Sequence, residues 1–285
     1  MFSPVVSKFG GSSLSQGGQF HKVKSIISSG KKRNCIVVSA PGKRFNGDLK
    51  VTDLLSEIHR LKESGESYER LLLQIQNRYQ EIFCHLNISK DMGREIHKVC
   101  KEINNSLDRD FILSRGEYLN ALIMAKSLGY ILVDAKDIIF FKENGVLDEK
   151  RTDQAIHNRL SKEEKVIVPG FYGSNSRGAV KTFARGGSDI TGALIAKGIG
   201  AALYENWTDV SGVMTADPSI ERSAKTIPYL SYKELMRITQ EGAQVYHPDA
   251  IPPVESRNIA LHIKNTNSPK ESGTIIKGDD QHGKD

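Results

Sequence analysis

The chain has 285 residues, 38% of them hydrophobic and 26% charged, the make-up of a globular protein long enough to bury a substantial core. Forty basic against 34 acidic residues leave a charge of +6 spread along the chain, which suits small anionic ligands and argues only weakly for nucleic acid. Three well-separated cysteines without a CxxC pair argue against a disulfide scaffold or zinc site; with no apolar run of membrane-spanning length and no signal peptide, a cytoplasmic protein is expected.

The first apolar run, Pro4 to Ser7, ends in the stretch KFGGSS. A lone cation, Lys8, is followed by Gly10 and Gly11, two residues without side chains. One reading is a tight strand-to-helix turn with a solvated lysine. The other is a phosphate site in which Lys8 supplies charge and the glycines let backbone N–H groups approach an anion, although the full P-loop pattern is absent. The second run, Cys35 to Ser39, turns through Pro41-Gly42 to Lys43 and Arg44. That is either an exposed turn with a basic pair or a place where Ser39 offers its hydroxyl and N–H to an anion. Helical spacing follows, at Leu54, Leu55, Ile58 and Leu61 and again from Tyr68 to Phe83.

Between residues 66 and 128 strand signals vanish, and a helical excursion forming part of a lid or substrate lobe is expected. Within it, LSRGEYLNALIMAKSLG places Ser114 and Glu117 at capping-box spacing. If the helix begins earlier, Arg115 and Glu117 instead become charged groups able to reach inward to an amine or a carboxylate.

Further short strands are predicted at Tyr130–Asp134, Val166–Val168, Ala201–Tyr204 and Ile259–Ile263. In FARGGSDITGALIAKGIG, Ser188 is expected to cap a helix with Asp189 in its first turn. Capping leaves Arg185 unexplained, held as it is against two glycines; a guanidinium there matches a carboxylate. In YENWTDVSGVMTADPSI, Thr208-Asp209 and Ala216-Asp217-Pro218 are either turns or a strand-end loop that holds ribose hydroxyls or a magnesium shell. His247, before a proline, reads as a turn or core residue. Strands alternating with helices imply a mostly parallel sheet covered on both faces. Ligands then bind beyond the strands' carboxyl ends, where Lys8, Ser39 and Pro169-Gly170-Phe171 would face one crevice. The tail from Lys277 reads as disordered.

Taken in order, KFGGSS, SAPGK, KVTDLL, SRGE, PGFYG, ARGGSD and TDVSGVMTADP resemble the aspartate kinases of the amino acid kinase superfamily. The resemblance runs from Val5 to about Lys277. It implies an open αβα sandwich with a mostly parallel central sheet, one catalytic domain over residues 1–277 with an N-terminal substrate lobe and a C-terminal nucleotide lobe, and a tail at 278–285. It also implies ATP-dependent phosphorylation of the β-carboxylate of L-aspartate, with Mg2+, opening the route to lysine, methionine and threonine. By carry-over, Arg185 would grip the α-carboxylate and Glu117 the α-ammonium, with Ser39, Thr52, Phe171 and Ser188 completing the aspartate pocket. Lys8, Gly10 and Gly11 would surround the transferring phosphoryl group and Asp189 would orient the cations. Thr208, Asp209, Met214 and Asp217 would lie along the nucleotide.

Departures from the family pattern cluster on the nucleotide side. Met214 stands where the family often has tyrosine, Ser219 where it has arginine, and Gln244 where it has lysine. The family usually continues into paired ACT domains that bind feedback inhibitors; none is expected in this chain, nor a response to lysine or threonine through it. The expected partners are L-aspartate and ATP, with neither nucleic acid nor membrane, in a homo-oligomer. The alternatives are a superfamily member acting on glutamate, acetylglutamate or a nucleotide, and a catalytically weak regulatory subunit.

Overall fold

The computed structural model describes residues 4–88, 91–160, 164–216, 221, 223–243 and 245–278. Its strands are β1 (Val5–Phe9), β2 (Arg33–Val38), β3 (Ile131–Leu132), β4 (Val166–Pro169), β5 (Tyr172–Ser174), β6 (Val180–Thr182), β7 (Leu203–Thr208), β8 (Tyr229–Ser231), β9 (Ala260–Asn265) and β10 (Thr274–Lys277). Eight of them form one sheet in the order β3-β4-β2-β1-β7-β9-β10-β8, and β5 with β6 forms a separate hairpin. Every pairing in the large sheet is parallel except β9 with β10.

The central strands are apolar on both faces because both faces are covered. From β2, Ile36 and Val38 enter one core while Cys35 and Val37 enter the other. The first core is closed by α1 (Gly17–Ser29), α2 (Val51–Ser64), α3 (Glu69–His85), α4 (Asp91–Asn105) and α5 (Arg109–Leu128). The second is closed by α6 (Glu149–Leu160), α7 (Gly187–Ile199), α8 (Tyr232–Gln240) and α9 (Ile251–Glu255). This is the open αβα sandwich expected from the sequence. Cys35, Cys84 and Cys100 are free thiols. Among the described residues, no helix is long and apolar enough to cross a membrane.

Three expectations need correction. The helical stretch 66–128 leaves the sheet only in part: α5 packs on β2, β3 and β4, whereas α3 and α4 pack on other helices, among them α1, α2 and α5. Being covered on nearly every side, α5 shows no polar stripe over most of its length. β3 keeps only two paired residues of the five predicted, because Asp134 turns the chain, its side chain accepting the Lys136 N–H. β7 begins at Leu203 rather than Ala201 and runs on through Glu205 and Asn206 to Thr208, past the expected end at Tyr204. The tail beyond Gly278 lies outside the described residues.

Glu205 is 5% exposed in the middle of the sheet. It accepts hydrogen bonds from Arg33 Nε at 2.7 Å and Nη2 at 2.9 Å, from Ser7 Oγ at 2.7 Å and from Trp207 Nε1 at 3.0 Å. Burial works against its charge, but Arg33, Ser7 and Trp207 together hold the carboxyl below its ordinary range. The pair therefore contributes stability above the ordinary carboxylate range, and that contribution is lost as pH falls. Replacing Arg33 by Met strands a buried carboxylate and should cost about 3–5 kcal/mol at pH 7, measured by urea unfolding. The deficit should shrink toward acid pH as the lone Glu205 takes up a proton; a deficit independent of pH would refute this account.

Candidate active site

A cleft of about 600 Å³ opens beyond the carboxyl ends of β1, β2, β4 and β7, where parallel sheets leave their loops free to meet a ligand. Lys8, Gly10 and Gly11 enter it from β1, Ser39 and Gly42 from β2, Phe171 from β4, and Thr208 and Asp209 from β7. Thr52 comes from the start of α2, Glu117 from α5, and Ser188 with Asp189 from the start of α7. The strand ends singled out in the sequence do face one crevice.

The loops after β1 and β2 touch through bare backbone. Gly42 N–H donates to the Gly11 carbonyl at 2.8 Å, and a Cβ on Gly42 would sit 2.7 Å from the Gly11 carbonyl carbon. Gly10 contributes differently from the expectation, since its N–H is already bonded to the Trp207 carbonyl at 2.9 Å. Behind the loops, buried Arg78 on α3 donates to the Gly42 carbonyl at 3.1 Å, the Leu49 carbonyl at 3.2 Å and Asp48 Oδ2 at 2.7 Å. Burial alone would raise the Asp48 pKa, but Arg44 and Arg78 hold it far below the usual carboxylate range. Arg44 is thus turned inward, while its neighbour Lys43 is exposed and lines the cleft together with Lys50.

Lys8 is 7% exposed, and its Nζ lies 2.6 Å from Asp189 Oδ1. The approach is close but off the hydrogen-bonding direction, so charge holds the pair. Asp189 stands in the first turn of α7, as predicted, but Ser188 does not cap it. Gly186 takes the N-cap position with φ +60°, and it brings no side chain to cap the first N–H groups. A Cβ on Gly186 would collide with the His247 ring, and His247 itself serves as a turn residue that accepts the Asp249 N–H. Without a side-chain cap, the first N–H groups and the positive end of the α7 dipole are left for an anion.

The capping-box reading of Ser114 and Glu117 fails as well. The N-cap of α5 is Asp108, which accepts the Phe111 N–H at 3.0 Å, so both residues lie well inside the helix. Glu117 is 3% exposed, and its Oε2 has no hydrogen-bond partner among the described residues. Burial pushes its pKa up to about 8, against the lowering effect of the Ala40 N–H. Arg115 does not reach the cleft lining. It donates to Ser114 Oγ at 2.9 Å and sits over the rings of Phe111, Tyr118 and Tyr172.

Phe171 holds φ at +78°, an uncommon value for a bulky residue. Its N–H donates to Thr191 Oγ1 at 3.2 Å, and its carbonyl accepts the Phe183 N–H at 2.9 Å. Arg185 is exposed on the loop before Gly186 and is absent from the cleft lining, although Gly186 and Gly187 belong to it. A second, more apolar cavity of about 760 Å³ adjoins the first, sharing Asp209 and Val245 with it. Val210, Gly212, Val213 and Met214 line it. Thr208 Oγ1 donates to Asp209 Oδ1 at 3.1 Å. Asp217, Ser219 and Gln244 lie outside the described residues.

Sequence reasoning missed Lys50, Arg78 and Asn206. Asn206 carried a usable signal, a polar side chain inside a strand. Arg78 carried none, because an arginine on an amphipathic helix reads as surface. No cluster of three or more metal-ligating His, Cys, Asp or Glu side chains occurs among the described residues.

A model of the amino acid kinase family matches residues 3–265. Aspartokinase 3 of Bacillus subtilis is 35% identical, covering 98% of this chain and 65% of its own length. The crystal structure of Clostridium acetobutylicum aspartate kinase superposes with a TM-score of 0.92 at 46% identity, covering 99% of this chain and 64% of that one. Escherichia coli aspartokinase III in complex with aspartate and ADP gives a TM-score of 0.84 at 26% identity, covering 96% of this chain and 64% of that one. The chain thus spans just under two thirds of the length of these relatives.

Because Glu117 keeps its proton in the fold well above the ordinary 4.5, its contribution to stability is full below that value and is lost as pH rises to about 8. Over this window the unfolding free energy should fall by up to about 1.4 kcal/mol per pH unit on account of this group. Glu117→Gln should lack that slope. Urea unfolding of both proteins across the window checks it; parallel profiles would overturn the assignment.

Proposed function

The chain belongs to the amino acid kinase family, and on that premise we propose that it transfers the γ-phosphoryl group of ATP to the β-carboxylate of L-aspartate, giving 4-phospho-L-aspartate and ADP. The observation that carries this reading is one cleft holding both Lys8 and the buried carboxyl of Glu117, whose Oε2 has no hydrogen-bond partner among the described residues. A carboxyl with one oxygen free in such a place suits an ammonium group, and the lysine suits a phosphate.

The attacking oxygen is already ionised near neutrality, so no general base is needed. An O–P bond forms to the β-carboxylate while the P–O bond to ADP breaks, its electron pair leaving on ADP. No proton has to move. The barrier is electrostatic: two unit charges about 4 Å apart repel by roughly 4 kcal/mol at an effective dielectric of 20, close to three powers of ten in rate. Lys8 and the uncapped first turn of α7 oppose that repulsion where the charge gathers. Arriving phosphate competes for Lys8 and frees Asp189 from its ion pair. Asp189 and Asp209 both face the cleft, and with no all-protein cage among the described residues they fit a Mg2+ shared with phosphates. Such a cation would neutralise phosphate charge.

At the amino acid end, the α-ammonium draws Glu117 into its charged form, releasing a proton below pH 8. Ser39, Thr52, Phe171 and Ser188 shape the remainder of the pocket. Arg185 starts on the rim, so gripping the α-carboxylate requires its side chain to swing across Gly186. In the nucleotide half, Asp209, with Thr208 beside it, joins the two cavities, and Met214 offers a polarizable thioether to the base. Asp217 belongs to the same reading through the family resemblance alone. The product would feed lysine, methionine and threonine synthesis; cytoplasmic location and a homo-oligomeric state belong to this proposal.

A hydroxamate assay with ATP and Mg2+ tests the reaction, with aspartate and glutamate compared side by side. Product with aspartate and little with glutamate is expected; equal rates or no product would refute the proposal. Lys8→Ala should fold, by circular dichroism, yet lose on the order of 10²–10³ in kcat. Undiminished turnover in that variant would remove Lys8 from the chemistry.

A further inference from the structure

We infer that Asn206 is a further contact to the transferring phosphoryl group, through hydrogen bonds from its carboxamide; the inference rests on the phosphoryl-transfer reading of the same cleft. Asn206 lies in β7 between β1 and β9, with Lys8 and Ile263 as its register partners. It is 1% exposed, and its Oδ1 has no hydrogen-bond partner among the described residues. An unpaired buried polar group costs about 1–3 kcal/mol, and native structures rarely keep one without a use. A leucine of similar volume would carry no such cost.

The preceding residue sharpens the contrast. Glu205, on the opposite face of the same strand and as deeply buried, has its carboxylate satisfied by Arg33, Ser7 and Trp207. Burial in β7 therefore does not itself leave polar groups unpaired. Asn206 differs in that it lines the cleft.

Its position selects the ligand. Asn206 is the register partner of Lys8 across the β1–β7 ladder, and the next residue's carbonyl binds Gly10 N–H. It thus lies beside the phosphate-facing lysine and its turn, on the strand that continues into Thr208 and Asp209. Glu117, the group suited to the ammonium, comes from α5 on the other layer. Oδ1, an acceptor, cannot bond a phosphoryl oxygen itself. The two N–H donors of the same uncharged carboxamide, which no described side chain or carbonyl takes, can do so without competing with Lys8 for Asp189.

Asn206→Leu is the test, read by calorimetric titration with Mg·ADP and with the Mg complex of the β,γ-imido analogue of ATP. Affinity for the triphosphate analogue should fall about tenfold while Mg·ADP affinity holds. With aspartate as acceptor, kcat should fall 10- to 100-fold. The melting temperature should hold or rise, because an unpaired polar group leaves the interior; a structural asparagine would lower it. Unchanged analogue affinity overturns the inference, as does an equal loss for both nucleotides. If the parent fails to phosphorylate aspartate, the proposed function falls, yet the two titrations still decide Asn206. A parent that binds neither nucleotide overturns both.

Discussion

The contact of the Gly11 and Gly42 backbones sets the geometry of this site. Two loops leaving adjacent parallel strands close to a direct N–H···O bond only because neither residue carries a side chain at the point of approach. That closure brings the turn behind Lys8 against the loop behind Ser39 and leaves a single cleft over the strand ends. Arg78 then locks the arrangement from behind, spending its donors on the Gly42 and Leu49 carbonyls and on Asp48.

Polar groups in the interior divide into two kinds. Glu205 and Asp48 are saturated with charged or hydrogen-bonding partners, and they hold strands and loops in register. Glu117 and Asn206 keep an oxygen without a partner, and both line the cleft. Lys8 and Asp189 stand between these kinds: they neutralise each other, yet by charge at close range rather than by a directed hydrogen bond. Such a pair is exchangeable when anions arrive. Unpartnered buried atoms also occur outside the cleft, at Gln19, Asn34, Asn120 and Asp153, so it is the coincidence of an unpartnered atom with the cleft lining that distinguishes Glu117 and Asn206.

Much of the fold was legible because buried parallel strands announce themselves as short β-branched runs. Six such runs became strands of the main sheet. The short β5–β6 hairpin, β8 and β10 were not legible, since three or four residues with no apolar alternation carry too little pattern. β7 was cut short for an instructive reason: Glu205 looks like a strand terminator until Arg33, far away in sequence, is seen beside it. Within the helical stretch 66–128, α5 was read as part of an excursion because a helix buried on most sides and one half-exposed differ only in what covers them. Ser114 and Ser188 matched capping patterns, and tertiary packing assigned those caps elsewhere, to Asp108 and to Gly186 in a left-handed conformation.

The order of strands and helices, the clustering of Lys8, Ser39 and Phe171 at strand ends, and membership of the family were determined by sequence alone, because local periodicity and motif order are one-dimensional properties. Only tertiary structure decided which charges pair, which stay exposed and which are stranded. Arg115 and Glu117 are two residues apart on one helix, yet one is caged by aromatic rings and the other faces the cleft. Burial and partnership depend on what the rest of the chain brings into contact, and no local stretch of residues records that.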